Sequence, residues 1–172
     1  YVGYYSGYNT TSGDFNTFVG HAAGVQNTIG SGNSFFGTNA GQENITGSSN
    51  TYIGQGSGPI SGASASSRNV VLGSQAQVGV TSTTNDAITI GHNSIVGGSG
   101  SISLGSFARS GSGLNNITIG FEAGFGTSTT NNVASENIRI GYRSGRYITT
   151  GEGNIFMGGL TGENNFTGEY NL

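Results

Sequence analysis

The chain has 172 residues, of which 34 are glycine, and its charged side chains are five Arg with eight Asp and Glu; there is no Lys, Cys or Trp and a single proline. A net charge of −3 leaves no cationic surface for a phosphate backbone, so nucleic acid is not an expected partner. Without cysteine there are no disulfides or thiolate metal sites. Without lysine there is neither a Walker-type phosphate loop nor Schiff-base chemistry, and no run reaches the roughly 18 apolar residues of a membrane span.

Leu, Ile, Val and Phe together number 37, close to the level of about 20% below which chains tend to be disordered. Spacing decides for order. From the N-terminus the phrase NTFVGHAAG (16–24) is followed by NSFFGTNAG (33–41) and NTYIGQGSG (50–58). The middle holds looser versions, NVVLGSQAQVGV (69–80), ITIGHNSIVGG (88–98) and SISLGSFARSG (101–111). After Asn116–Gly120 comes a longer stretch, FGTSTTNNVASE (125–136), and the phrase then returns as NIRIGYRSG (137–145) and NIFMGGLTG (154–162). The glycines that align are Gly3, Gly20, Gly37, Gly54, Gly73, Gly91, Gly105, Gly120, Gly141 and Gly158. The step is constant from Gly3 to Gly54, shortest from Gly91 through Gly105 to Gly120, and longest from Gly120 to Gly141. A period this short does not accommodate helical repeats and fits one coil of a β-solenoid.

Each slot has its own chemistry. The residue before the glycine is apolar throughout, from Val2 and Val19 to Ile140 and Met157, and a second column two positions earlier runs from Thr17 to Ile155. This period of two predicts a short strand, and the two regular columns are expected to face the core. The slot between them holds Phe18, Phe35, Tyr52, Val71, Thr89, Ser103, Thr118, Arg139 and Phe156, and is expected to face outward. An outward ladder of Phe18, Phe35 and Tyr52 would be a contiguous apolar patch, so these three residues are the candidate subunit interface. Three residues after each glycine the residue is always small, which predicts a tight corner. Four residues before the glycine, seven of nine positions are Asn, a residue suited to turns and to stacked amide ladders.

The expected fold is therefore all-β: a parallel β-solenoid of about ten coils. It forms a single repeat domain over 1–172, regular over 1–67 and 137–172 and irregular over 68–136. Because the chain opens and closes inside a repeat, it reads as a piece of a longer fibre. Each coil carries too few apolar residues to close a core alone, so stability has to come from stacking and from neighbouring chains.

The phrase N-T-x-hydrophobic-G-x-x-A-G resembles repeats of phage-type tail fibres and related fibrous surface proteins. The middle stretch resembles the head repeats of trimeric autotransporter adhesins. That resemblance implies a left-handed β-roll assembled as a homotrimer.

Chemistry is sparse. Only Asp14 and Asp86 are aspartates, too few for calcium-binding nonapeptides. His21 and His92 lie four coils apart, too far to share a metal within one chain, and no carboxylate pair suited to glycoside hydrolysis is evident. Glu122 and Arg143 share a slot in successive coils and are expected to form a cross-rung ion pair. Arg139, Arg143 and Arg146 could hold an anionic sugar or phosphate, but Glu122 and Glu136 are near enough to neutralise them. The four Asn-x-Ser/Thr sequons at Asn9, Asn44, Asn116 and Asn165 follow from composition. The extra length between Gly120 and Gly141 makes Phe125, Thr127, Thr129, Thr130, Asn131 and Asn132 the candidate ligand loop, with Phe121 or Phe125 able to stack on a sugar ring.

The expected function is a structural and adhesive rod of an extracellular fibre on a virion or cell-surface appendage, without enzymatic activity or cofactor. Its expected partners are copies of itself and a cell-surface glycan or protein receptor. Alternatives are an adhesin head, an ice-binding solenoid and a polysaccharide-binding solenoid. A regular Thr-x-Thr array, which an ice binder needs, is missing.

Overall fold

A computed structural model of the chain describes residues 1–60, 64–79, 83–126 and 132–172. Among these residues every regular element is a short β-strand. A nine-stranded parallel sheet contains β1 (Thr17–Val19), β2 (Ser34–Phe36), β3 (Thr51–Ile53), β5 (Val70–Leu72), β7 (Ile88–Ile90), β9 (Ile102–Leu104), β10 (Ile117–Ile119), β11 (Ile138–Ile140) and β12 (Ile155–Met157), in that order. A second parallel sheet, of three strands, contains β4 (Gly58–Pro59), β6 (Gln77–Val78) and β8 (Ile95–Val96). Pairing is in register from coil to coil: Phe18 with Phe35, Phe35 with Tyr52, Tyr52 with Val71. The result is a β-solenoid of about eight turns, with Val2 bridged to Val19 as the start of a further rung.

The direction of the three-residue strands is opposite to the sequence expectation. The middle residue points into the coil, where Phe18, Phe35, Tyr52, Val71, Thr89, Ser103, Thr118 and Arg139 are all fully enclosed. The flanking columns point out, leaving Phe36, Ile53, Ile88, Ile90 and Met157 exposed and Ile119 half-buried. A strand of three residues between two corners has one inward position, and steric room inside the coil decides what occupies it. The regular coils from Phe18 to Tyr52 enclose rings. From Thr89 through Ser103 to Thr118 the coils are the shortest of the chain, and the enclosed side chains shrink with them. Phe18, Phe35 and Tyr52 are therefore not a subunit interface, since a ring enclosed within its own chain offers nothing to a neighbour.

The corners are built by backbone chemistry. The repeat glycines stack on one another: Gly73 has φ +135°, and a Cβ there would lie 2.6 Å from the Gly91 carbonyl oxygen. Ala23, Ala40, Ala76, Ala108 and Ala123 fill the small slot and are fully buried. The Asn ladder clamps coil to coil. Asn33 donates from Nδ2 to the Gly47 carbonyl at 2.8 Å, while its Oδ1 accepts the Asn50 backbone N–H at 3.0 Å. Asn116, Asn137 and Asn154 repeat the arrangement in the C-terminal half. The sequon residues Asn44 and Asn116 are fully buried members of these networks, which accounts for them structurally.

Candidate functional site

Around the coil between Gly120 and Gly141 lie four of the five arginines of the chain, Arg109, Arg139, Arg143 and Arg146. Glu122, in the turn after Gly120, accepts from Arg143 Nε at 2.8 Å and from Arg146 Nη2 at 3.2 Å, and Arg146 Nη1 reaches Glu163 at 3.8 Å. The expected Glu122–Arg143 pair thus forms, with Arg146 as a third member. All three side chains keep some contact with solvent, which screens the charges, so the cluster adds little to stability. Hydrogen bonding to Glu122 holds the Arg143 guanidinium above its ordinary range.

Of the candidate ligand loop, Thr127, Thr129, Thr130 and Asn131 lie outside the described residues. Phe125 and Asn132 are placed, and neither presents itself to solvent as expected. The Phe125 ring is half-buried beneath two cations, with Arg109 Cζ 4.2 Å and Arg146 Cζ 5.7 Å from its centroid. Cation–π contacts of this kind hold a side chain in place. Asn132 is buried. Arg139, grouped on sequence with Arg143 and Arg146, is separated from them: they sit on the outside, and it is enclosed in the core.

Sequence reasoning missed an aromatic ridge running along the rod. His92 meets Phe107 edge-on at 5.6 Å, Phe107 meets Phe121 edge-on at 6.0 Å, and Phe121 stacks on Tyr142 at 5.9 Å. Arg143 caps the end, 5.0 Å over the Tyr142 ring. Phe121 and Tyr142 remain exposed. These residues occupy the one or two positions after the repeat glycine. His92, Phe121 and Tyr142 share one slot in their coils, which was the available signal. The ridge offers ring faces beside a guanidinium, a surface suited to stacking on a sugar and bonding its hydroxyls.

A groove of about 470 Å³ lies between Asn39, Gln42, Glu43, Pro59, Gln75 and Gln77. Its amides offer hydrogen bonds without a ring to stack on. Among the described residues no three His, Asp or Glu side chains come together as metal ligands, and no helix is long and apolar enough to cross a membrane. The outward side of the nine-stranded sheet runs through every coil from β1 to β12. Its two columns carry no charged residue over nine rungs, from Thr17 and Val19 to Ile155 and Met157.

No family model, curated protein or solved structure matches this chain.

Proposed function

We propose that the chain is a rod segment of a homotrimeric extracellular fibre, a virion tail fibre or a similar appendage, that holds a receptor-binding tip away from its base. The uncharged double column on the outer face of the nine-stranded sheet carries this reading. At a strand spacing of about 4.8 Å, nine rungs make a strip roughly 40 Å long and 10 Å wide, about 400 Å² per chain. Three such strips meeting on one axis bury roughly 1,200 Å² in all, about 400 Å² for each pair of chains, so it is the continuous uncharged chemistry of the strip rather than its area that favours association. Because the strip runs along the rod, copies join side by side and in parallel, which thickens the shaft without bending it. The resemblance to trimeric adhesin heads and tail fibres favours three copies and a left-handed winding.

The chain has no cysteine, so one introduced thiol reports contact directly. Ile90→Cys, on the outer column, is expected to form a disulfide between copies on mild oxidation, while Thr89→Cys, one residue away and enclosed, is expected not to. Failure of Ile90→Cys to cross-link would remove this face as the interface.

The exposed Phe121–Tyr142 ridge favours a second reading, that the segment itself touches a host-surface glycan in the manner of an adhesin head. Phe121→Ala with Tyr142→Ala is then expected to reduce attachment to host cells while leaving assembly intact. Unchanged attachment would leave the segment as a shaft alone.

A further inference from the structure

The amide-lined groove and the aromatic ridge lie on one edge of the rod. In each coil this edge is made by the two residues after the repeat glycine, and a backbone hydrogen bond joins it to the coil before. The Gly56 N–H donates to the Thr38 carbonyl at 2.9 Å, that of Gln75 to Gln55 at 2.9 Å and that of Asn93 to Ser74 at 3.2 Å. The ladder continues with Phe107 donating to His92 at 3.0 Å, Glu122 to Ser106 at 3.2 Å and Arg143 to Phe121 at 3.0 Å. These six bonds keep seven consecutive coils in step, over roughly 29 Å at a strand spacing of about 4.8 Å.

The groove marks a junction between two kinds of coil. Residues 38–43 form a turn, and in the next coil the chain instead enters the second sheet at Gly58–Pro59. Gln42 and Glu43 come from the turn, Pro59 from the strand, and Gln75 and Gln77 from the coil that follows; together they line about 470 Å³. Beyond the groove the same edge carries exposed His92, half-buried Phe107, and exposed Phe121 and Tyr142. Amides therefore give way to rings without a break in the ladder.

Amides both donate and accept, as sugar hydroxyls do, and exposed rings suit the C–H faces of a pyranose. Charge points to a neutral sugar. The charged residues of the groove and of the edge beyond it are Glu43, Glu122 and Arg143. Glu122 is paired with Arg143 at 2.8 Å, and Glu43 accepts from Gln26 at 3.4 Å. The edge thus has no row of cations to face an acidic polymer. A spacing of about 4.8 Å is also close to the length that one pyranose adds to an extended β-linked chain, so successive sugars meet successive coils.

We propose that this edge is a binding track for a linear, neutral, β-linked polysaccharide in extended form, running from the groove to Tyr142 with about one sugar to a coil. The proposal rests on the reading of the Phe121–Tyr142 ridge as a glycan contact, and extends it from a platform for one sugar to a track for a chain. Gln42, Gln75 and Gln77 bond hydroxyls at one end, and Phe121 and Tyr142 pack against sugar rings at the other. Each contact is weak because it is open to water, and a linked chain sums them.

Cello-oligosaccharides and chitin oligosaccharides of increasing length, titrated into the purified segment by calorimetry, test this. The dissociation constant is expected to fall at least about tenfold from disaccharide to hexasaccharide, and to level off beyond about seven units. Gln42→Ala with Gln75→Ala is expected to return long chains to the affinity of short ones, whereas Phe121→Ala with Tyr142→Ala weakens every length. Should a variant fail to fold, the length dependence of the wild type decides alone. Equal affinity for short and long chains, lost in the Phe121→Ala, Tyr142→Ala variant, would overturn the track and leave the ridge as a contact for one sugar. Binding of neither series, or tighter binding of oligogalacturonate of equal length, would also overturn the track. The ridge itself is then decided separately, by attachment of the Phe121→Ala, Tyr142→Ala variant to host cells.

Discussion

The rings of Phe35 and Tyr52 stack inside the solenoid with centroids 4.7 Å apart and planes within 7° of each other. An isolated pair of rings prefers an offset or edge-on arrangement. Here the strand repeat of about 4.8 Å sets the spacing, and Phe18 continues the stack 4.8 Å from Phe35. The rings are the filling of one coil after another, so each is committed to its own chain.

Tyr52 differs from its neighbours by one hydroxyl, which faces the Asn69 amide without forming a hydrogen bond. Burial pushes its phenol above the ordinary value of 10.0. A phenol raised on folding contributes stability that is fully present below the unfolded value and is lost as pH rises beyond it. Tyr52→Phe is therefore expected to gain about 0.5–1 kcal/mol at pH 7, because it removes an unpaired enclosed hydroxyl. It is also expected to lose less stability than the wild type between pH 10 and 11. Urea unfolding at the two pH values measures both, and a variant weaker at pH 7 would show that the hydroxyl is bonded.

Gly91 has φ +133°, and a Cβ there would lie 2.5 Å from the Gly105 carbonyl oxygen. The obstacle is the backbone of the next coil, which cannot rotate aside. Gly91→Ala is expected to cost more than about 3 kcal/mol, combining backbone strain with displacement of a stacked coil. Thermal unfolding that shifts by only a degree or two would mean that the glycine column is not close-packed.

Ser49 is exposed and sits at φ 60°, in the slot where other coils place Gly32, Gly100 and Gly153. A left-handed conformation strains any residue with a Cβ by about 1 kcal/mol. Ser49→Gly relieves the strain but loosens the unfolded chain, so a net gain of about 0.5 kcal/mol is expected. A shift of the urea midpoint to higher concentration with unchanged slope would show it.

The period, the strand positions, the small corner residues and the Asn clamps were legible because each repeats in chemistry as well as in spacing. The inward direction was not. Regular Ile and Val columns look like a core when the alternative column contains Thr89, Ser103, Thr118 and Arg139. In the middle coils the second sheet adds the enclosed Val78 and Val96, so the varied column shrinks where other side chains share the lumen, and shrinks furthest in the short coils joining Thr89, Ser103 and Thr118. Side chains on a regular outer surface can stay uniform, whereas side chains sharing an enclosed lumen have to fit what else fills it. For the site, sequence indicated the Glu122–Arg143 pair and the unusual coil. It could not show that Arg139 turns inward while Arg143 and Arg146 turn outward, because that depends on strand direction. Nor did it show that Phe125 is covered by Arg109, which belongs to the preceding coil.

The central claim is that the outer columns of the nine-stranded sheet join copies of this chain. Sedimentation equilibrium of the purified segment over a wide concentration range tests it most directly. The expected mass is about three times the 17.4 kDa of one chain, falling toward that of one chain when Ile90→Glu places a charge on the strip. A wild-type segment that sediments as a 17.4 kDa monomer at every concentration would contradict the account.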